Sequence, residues 1–178
     1  MAIDVGSLAT DRGSSHANLW TKIDTTNPAN ATGIIDTVRT WYETAATGFY
    51  VGTFYLVSGT DYKCRDSVSI GNVASGSEQT FSGLSENIES GDFIGCYETT
   101  GRIEFDTSGG SGLYRIKEYQ IDPANQATYA LAGSYPISLY GTGTEAAAGW
   151  TGKISGVTNP TKIMGVATSG ITKVKGVT

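Results

Sequence analysis

Charge is scarce in this chain: Asp, Glu, Lys and Arg together make up 16% of its 178 residues, where about a quarter is usual. A heavily charged exterior is therefore excluded, and abundant Ser, Thr and Gly imply a surface of hydroxyls and amides. His16 is the sole histidine, which removes any His-rich transition-metal centre. Cys64 and Cys96 are too few for a disulfide scaffold and lack the C-x-x-C spacing of zinc sites. Each lies in a strand-like run and is expected to be a reduced, buried thiol, with one disulfide between them as the alternative. No apolar run approaches the roughly 20 residues that cross a bilayer. The N-terminus, Met-Ala-Ile-Asp-Val-Gly, has neither the basic nor the apolar region of an export signal. The net charge of −5 argues against nucleic acid, whose binding needs clustered Lys and Arg.

Helix signals are nearly missing too. The closest, Glu145-Ala-Ala-Ala-Gly-Trp150, is broken by glycine and reads as a linker. Strand signals are frequent, short and bounded by Gly, Asn, Asp and Ser clusters, which is the rhythm of an all-β sandwich or barrel. Runs at 18–24, 33–44, 49–57, 62–70, 78–84, 92–98, 102–106, 113–119 and 129–140 supply the strands. In the run 49–57, Phe49 and Val51 alternate with Tyr50 and Phe54, so both faces are apolar and the strand should be central or present its outer face to a partner. The expected fold is an antiparallel β-sandwich of jelly-roll type over residues 1–143. A Gly/Ala linker at 144–152 and an extended tail at 153–178 complete the chain.

That tail repeats one phrase three times: Lys153-Ile-Ser-Gly-Val-Thr158, Lys162-Ile-Met-Gly-Val-Ala167 and Lys173-Val-Lys-Gly-Val-Thr178. It carries four lysines and no carboxylate, so residues 151–178 are formally +4 and residues 1–150 are −9. A basic, β-branched appendage on an acidic body suits docking. Aliphatic residues at strand spacing would be an aggregation hazard unless paired, so strand addition to a copy or a neighbour is expected. The expected interface comprises Trp150, Lys153, Ile154, Val157, Lys162, Ile163, Val166, Lys173, Val174, Lys175 and Val177.

Several segments carry a resemblance. Residues 3–13, Asn27-Pro-Ala-Asn-Ala-Thr-Gly33, Val51-Gly-Thr-Phe54, Cys64-Arg-Asp66, Gly91-Asp-Phe-Ile-Gly95 and Ile137-Ser-Leu-Tyr-Gly141 resemble a β-sandwich module of phage-like and environmental reading frames. The tail is similar to the Lys-Ile-x-Gly-Val endings of some tailed-phage virion proteins. The resemblance implies a virion component and carries no active site, so it brings no catalytic residue with it; no cofactor or metal is expected.

His16, with Ser14, Ser15 and Asp11 nearby, lies in a short polar stretch without a nucleophile elbow, so a surface or turn-capping role is expected. Glu104 and Asp106 share a strand face; paired carboxylates can cleave glycosides, yet a solvated face explains them as well. Asp106-Thr-Ser-Gly-Gly-Ser-Gly112 offers oxygens for calcium but is expected to form an Asx-type turn. Among the aromatics, Trp41 and Tyr42 are the candidates for a glycan platform.

The sequence thus points to a non-enzymatic structural protein of a tailed-bacteriophage virion, a capsid decoration or fibre-like subunit anchored by its tail. Such a protein would be made in the host cytoplasm without a signal peptide. Its expected partners are copies of itself, as a homo-oligomer such as a trimer, and other virion proteins; no membrane or nucleic acid is expected. A carbohydrate-binding, host-recognition module is the second reading, and a glycoside-cleaving enzyme the third.

Overall fold

Every regular element among the described residues is a strand, as the short β-branched runs imply. The computed structural model describes residues 2–146 in full and, beyond them, the backbone of four two-residue strands. Two units are separated, Met1–Glu145 and Ala146–Thr178. The first contains β1 (Ala2–Ser7), β2 (Ser14–Ala17), β3 (Thr21–Asp24), β4 (Gly33–Ser58), β5 (Asp61–Val73) and β6 (Glu78–Ile88). It continues with β7 (Phe93–Tyr97), β8 (Thr100–Phe105), β9 (Leu113–Ile116), β10 (Gln126–Thr128), β11 (Ala130–Gly133) and β12 (Leu139–Glu145). All pairings are antiparallel, and the main order is β1-β12-β4-β7-β3-β9-β11.

β4 organises the unit. Two strands, 33–44 and 49–57, were expected there, yet the backbone runs through as one strand of 26 residues. Gly48 is the reason: its φ of +57° bends the chain, and the Thr99 hydroxyl occupies the place of its missing Cβ, at 2.6 Å. Hydrogen bonding continues across the bend, with Thr99 N donating to Thr47 O at 3.0 Å and Thr47 N to Thr100 Oγ1 at 3.0 Å. The first part of β4 therefore lies between β12 and β6, the middle against β8, and the last part between β5 and β7.

Alternation along the β4–β7 ladder sorts the side chains into two cores. Val51, Ile94 and Cys96 face one way and join Ile3, Val5, Ile35, Val38, Tyr42, Phe49, Ile103 and Leu139, gathered from both ends of β4. Tyr50, Phe54, Phe93 and Tyr97 face the other way and meet Ile23, Tyr62, Cys64, Ile121 and Tyr129. The expected two-sided burial at Phe49–Phe54 is present, while Leu56 and Val57 emerge exposed at the hairpin end. Both thiols are free and buried.

The second unit contains β13 (Lys153–Ile154), β14 (Val157–Thr158), β15 (Lys162–Ile163) and β16 (Val166–Ala167). β13 pairs with β14 through Ile154↔Val157, and β15 with β16 through Ile163↔Val166. Each of the first two sequence repeats is thus one hairpin whose paired strands are two residues apart. Among the described residues these ladders pair within a repeat. Trp150, Lys173, Val174, Lys175 and Val177 lie outside the described residues. No described helix is long and apolar enough to cross a membrane.

Candidate functional site

The densest chemistry in the first unit lies inside its larger core. On β3, Thr21-Lys-Ile-Asp24 alternates so that Lys22 and Asp24 should take a wet face, yet both are fully buried. They stand opposite Cys96 and Ile94 of β7, on the side that faces Tyr42. Glu98, one residue beyond β7, lies on that same side and is also fully buried. Its Oε1 accepts a hydrogen bond from Lys22 Nζ, and its Oε2 accepts one from the Tyr42 hydroxyl at 3.3 Å. Lys22 Nζ also donates to Trp20 O at 3.3 Å. Burial pushes the Glu98 carboxyl above its ordinary range, against the pull of Lys22. Burial likewise raises the Cys96 thiol and Asp24.

Beside this group lies His16, for which a surface or turn-capping role was expected; it is buried. It lies on β2, 6% exposed, edge-on to Trp20 at 5.8 Å and to Phe105 at 6.1 Å. Its Nδ1 donates to Ala17 O at 2.9 Å and its Nε2 accepts from the Arg115 guanidinium. Arg115 stacks over Trp20 at 4.8 Å. Burial, joined by the positive charges of Lys22, Arg115 and Arg102, lowers the His16 pKa to about 4. An uncharged imidazole with its acceptor nitrogen occupied is a structural connector.

The Glu104–Asp106 pair is also placed differently from expectation. Glu104 is only 5% exposed, so the solvated-face reading fails for it. Arg12 brings the pair together: its backbone N donates to Glu104 Oε2 at 2.5 Å and its guanidinium to Asp106 Oδ2. Arg12 Nε donates to Ser138 Oγ at 2.9 Å, and Ser138 Oγ in turn to Thr10 O at 2.6 Å. These contacts strap the loop 8–13 to β8 and to Ser138, the residue before β12. Burial raises the Glu104 pKa, and the neighbouring Asp11 carboxylate adds to the effect.

Tyr42 is fully buried, with its ring edge-on to Phe49 at 5.5 Å. Neighbouring residues of a strand point to opposite faces, so a glycan platform built on Trp41 and Tyr42 reduces to Trp41, which is half-buried. A more open aromatic group exists elsewhere. Tyr119, 37% exposed, stands edge-on to Tyr50 at 5.5 Å and to Tyr97 at 5.0 Å. Its hydroxyl donates to Asp122 Oδ1 at 2.8 Å.

A last group was invisible in the sequence. Glu86 on β6 is 1% exposed, and neither of its side-chain oxygens has a hydrogen-bond partner. Burial, with the Asp66 carboxylate facing it, raises its pKa to about 8. Among the described residues no group of three or more His, Cys, Asp or Glu is placed to hold a metal ion. Comparison with protein-family models, curated proteins and solved structures found no match to this chain.

Proposed function

We propose that the chain is a non-enzymatic structural subunit of a tailed-bacteriophage virion, displayed as a capsid decoration or fibre-like subunit and anchored by its C-terminal unit. The observation that carries this reading is the division into an acidic β unit and a basic unit in which the first two repeats form hairpins. A ladder of two residues per strand is too short to be stable alone in water, so its order depends on association. Symmetric copies satisfy that need at least cost, which favours a homo-oligomer such as a trimer. The lysine that opens each repeat complements an acidic partner, either other virion proteins or the body of a neighbouring copy.

The architecture we assign to residues 1–143 is a two-layer sandwich of jelly-roll type, with the larger core between the layers. Engagement of Glu104 and Asp106 by one arginine supports a non-catalytic role for that pair. The subunit would reside in the particle and need neither cofactor nor nucleic acid. Ending the chain after Gly149 tests the reading: the shortened protein should fold but fail to co-sediment with particles. Retained incorporation would show that the anchor lies elsewhere.

The second reading, a glycan-binding module, is favoured by the exposed Tyr119 with its flanking rings. Saturable binding on a glycan array that is lost in Tyr119→Ala or Trp41→Ala would establish it, and silence would leave the structural role alone.

A further inference from the structure

We propose that Lys22 and Glu98 condense spontaneously into an intramolecular amide that covalently joins β3 to the end of β7. Both side chains are fully buried and in direct contact. The Tyr42 hydroxyl and the Cys96 side chain, themselves fully buried, close the site around them.

Charges enclosed in this way gain less from mutual attraction than they lose in hydration. Moving one ammonium proton to the carboxylate gives a neutral amine beside a neutral acid, a form that apolar surroundings favour. Burial already raises the Glu98 carboxyl toward that protonated state. The Nζ lone pair then forms a bond to Cδ of Glu98. Negative charge develops on Oε2, where the Tyr42 hydroxyl is aimed at 3.3 Å and stabilises it. The Cδ–Oε1 bond breaks, and Oε1 departs as water carrying two protons that began on Nζ. The atoms balance: ammonium plus carboxylate gives one amide and one water, with no oxidant, metal or co-reactant. Contact geometry supplies the high effective concentration that such reactions need. Release of the water to bulk, away from a closed core, opposes the reverse hydrolysis.

The bond would close a chain segment running from β3 to the end of β7. Separation of these strands would then require breaking a covalent link, a useful property in a protein exposed to mechanical load.

Intact-mass spectrometry of the full-length protein, folded and then denatured, tests the proposal. The expected mass is lower than that of the sequence by one water molecule. Trypsin should fail to cleave after Lys22, and a branched peptide should unite the segments bearing Lys22 and Glu98. Tyr42→Phe, which keeps amine and acid but removes the hydroxyl, should give a slowly converting mixture. Lys22→Met should show the full sequence mass. The proposal is overturned if the folded wild-type protein has its full mass with Lys22 cleaved by trypsin. A missing water that maps to any other residues overturns it as well.

Discussion

His16 and Arg115 share a hydrogen bond in which the imidazole is the acceptor. That arrangement requires Nδ1 to carry the ring proton, and its bond to Ala17 O at 2.9 Å satisfies the requirement. Protonating Nε2 would set two cations against each other inside the fold.

The consequence is acid sensitivity with a definite sign. The folded pKa of about 4 lies below the unfolded value, so the unfolded chain binds the proton first as pH falls. The stability this group contributes is present above about pH 6.5 and is lost as pH falls toward 4. Urea unfolding at pH 7 and pH 4.5 should show wild type losing roughly 2–3 kcal/mol more than His16→Gln. Equal losses would mean that the buried imidazole is not held neutral.

Glu86 acts in the opposite direction. Its folded pKa of about 8 lies above the unfolded value, so its stability is greatest at low pH and is lost as pH rises through 8. Asp66 is the charged group that faces it. Glu86→Gln should match wild type near pH 5 and exceed it by a few kcal/mol at pH 9. The pair of denaturation curves decides this; parallel curves at both pH values would contradict it.

Close backbone approach makes a third prediction. A Cβ on Gly143 would stand 1.9 Å from Ile34 O and 2.8 Å from Ile35 Cα, at the register shift between β12 and β4. Gly143→Ala should therefore cost about 3 kcal/mol or more, read from the thermal midpoint. Gly13→Ala, where nothing lies within 4 Å, is the control and should change little.

Legibility in the sequence followed what alternation can encode. The doubly apolar run from Phe49 to Phe54 marked a central strand, and it is one. The continuity of β4 through Gly48 was hidden, because the positive φ that preserves the strand looks like a break in a string of letters. β1 was missed because it is secured by distant β12 and its own pattern, Ile3-Asp-Val5, is too brief to stand out. Nothing in the run 18–24 marked Lys22 and Asp24 as buried, because they belong to a strand covered on both faces, where the polar set is buried too. Arg12 and Glu104 are 92 residues apart, and no local pattern announces their meeting. The tail's repetition was plain in the letters, while the resolution of its first two repeats into hairpins needed the register of Ile154 with Val157 and of Ile163 with Val166.

Sedimentation equilibrium on the intact chain and on a version stopped at Gly149 bears most directly on the assembly role. A multiple of the protomer mass for the first and a single protomer mass for the second is the predicted outcome. The same mass for both would contradict association through the repeats.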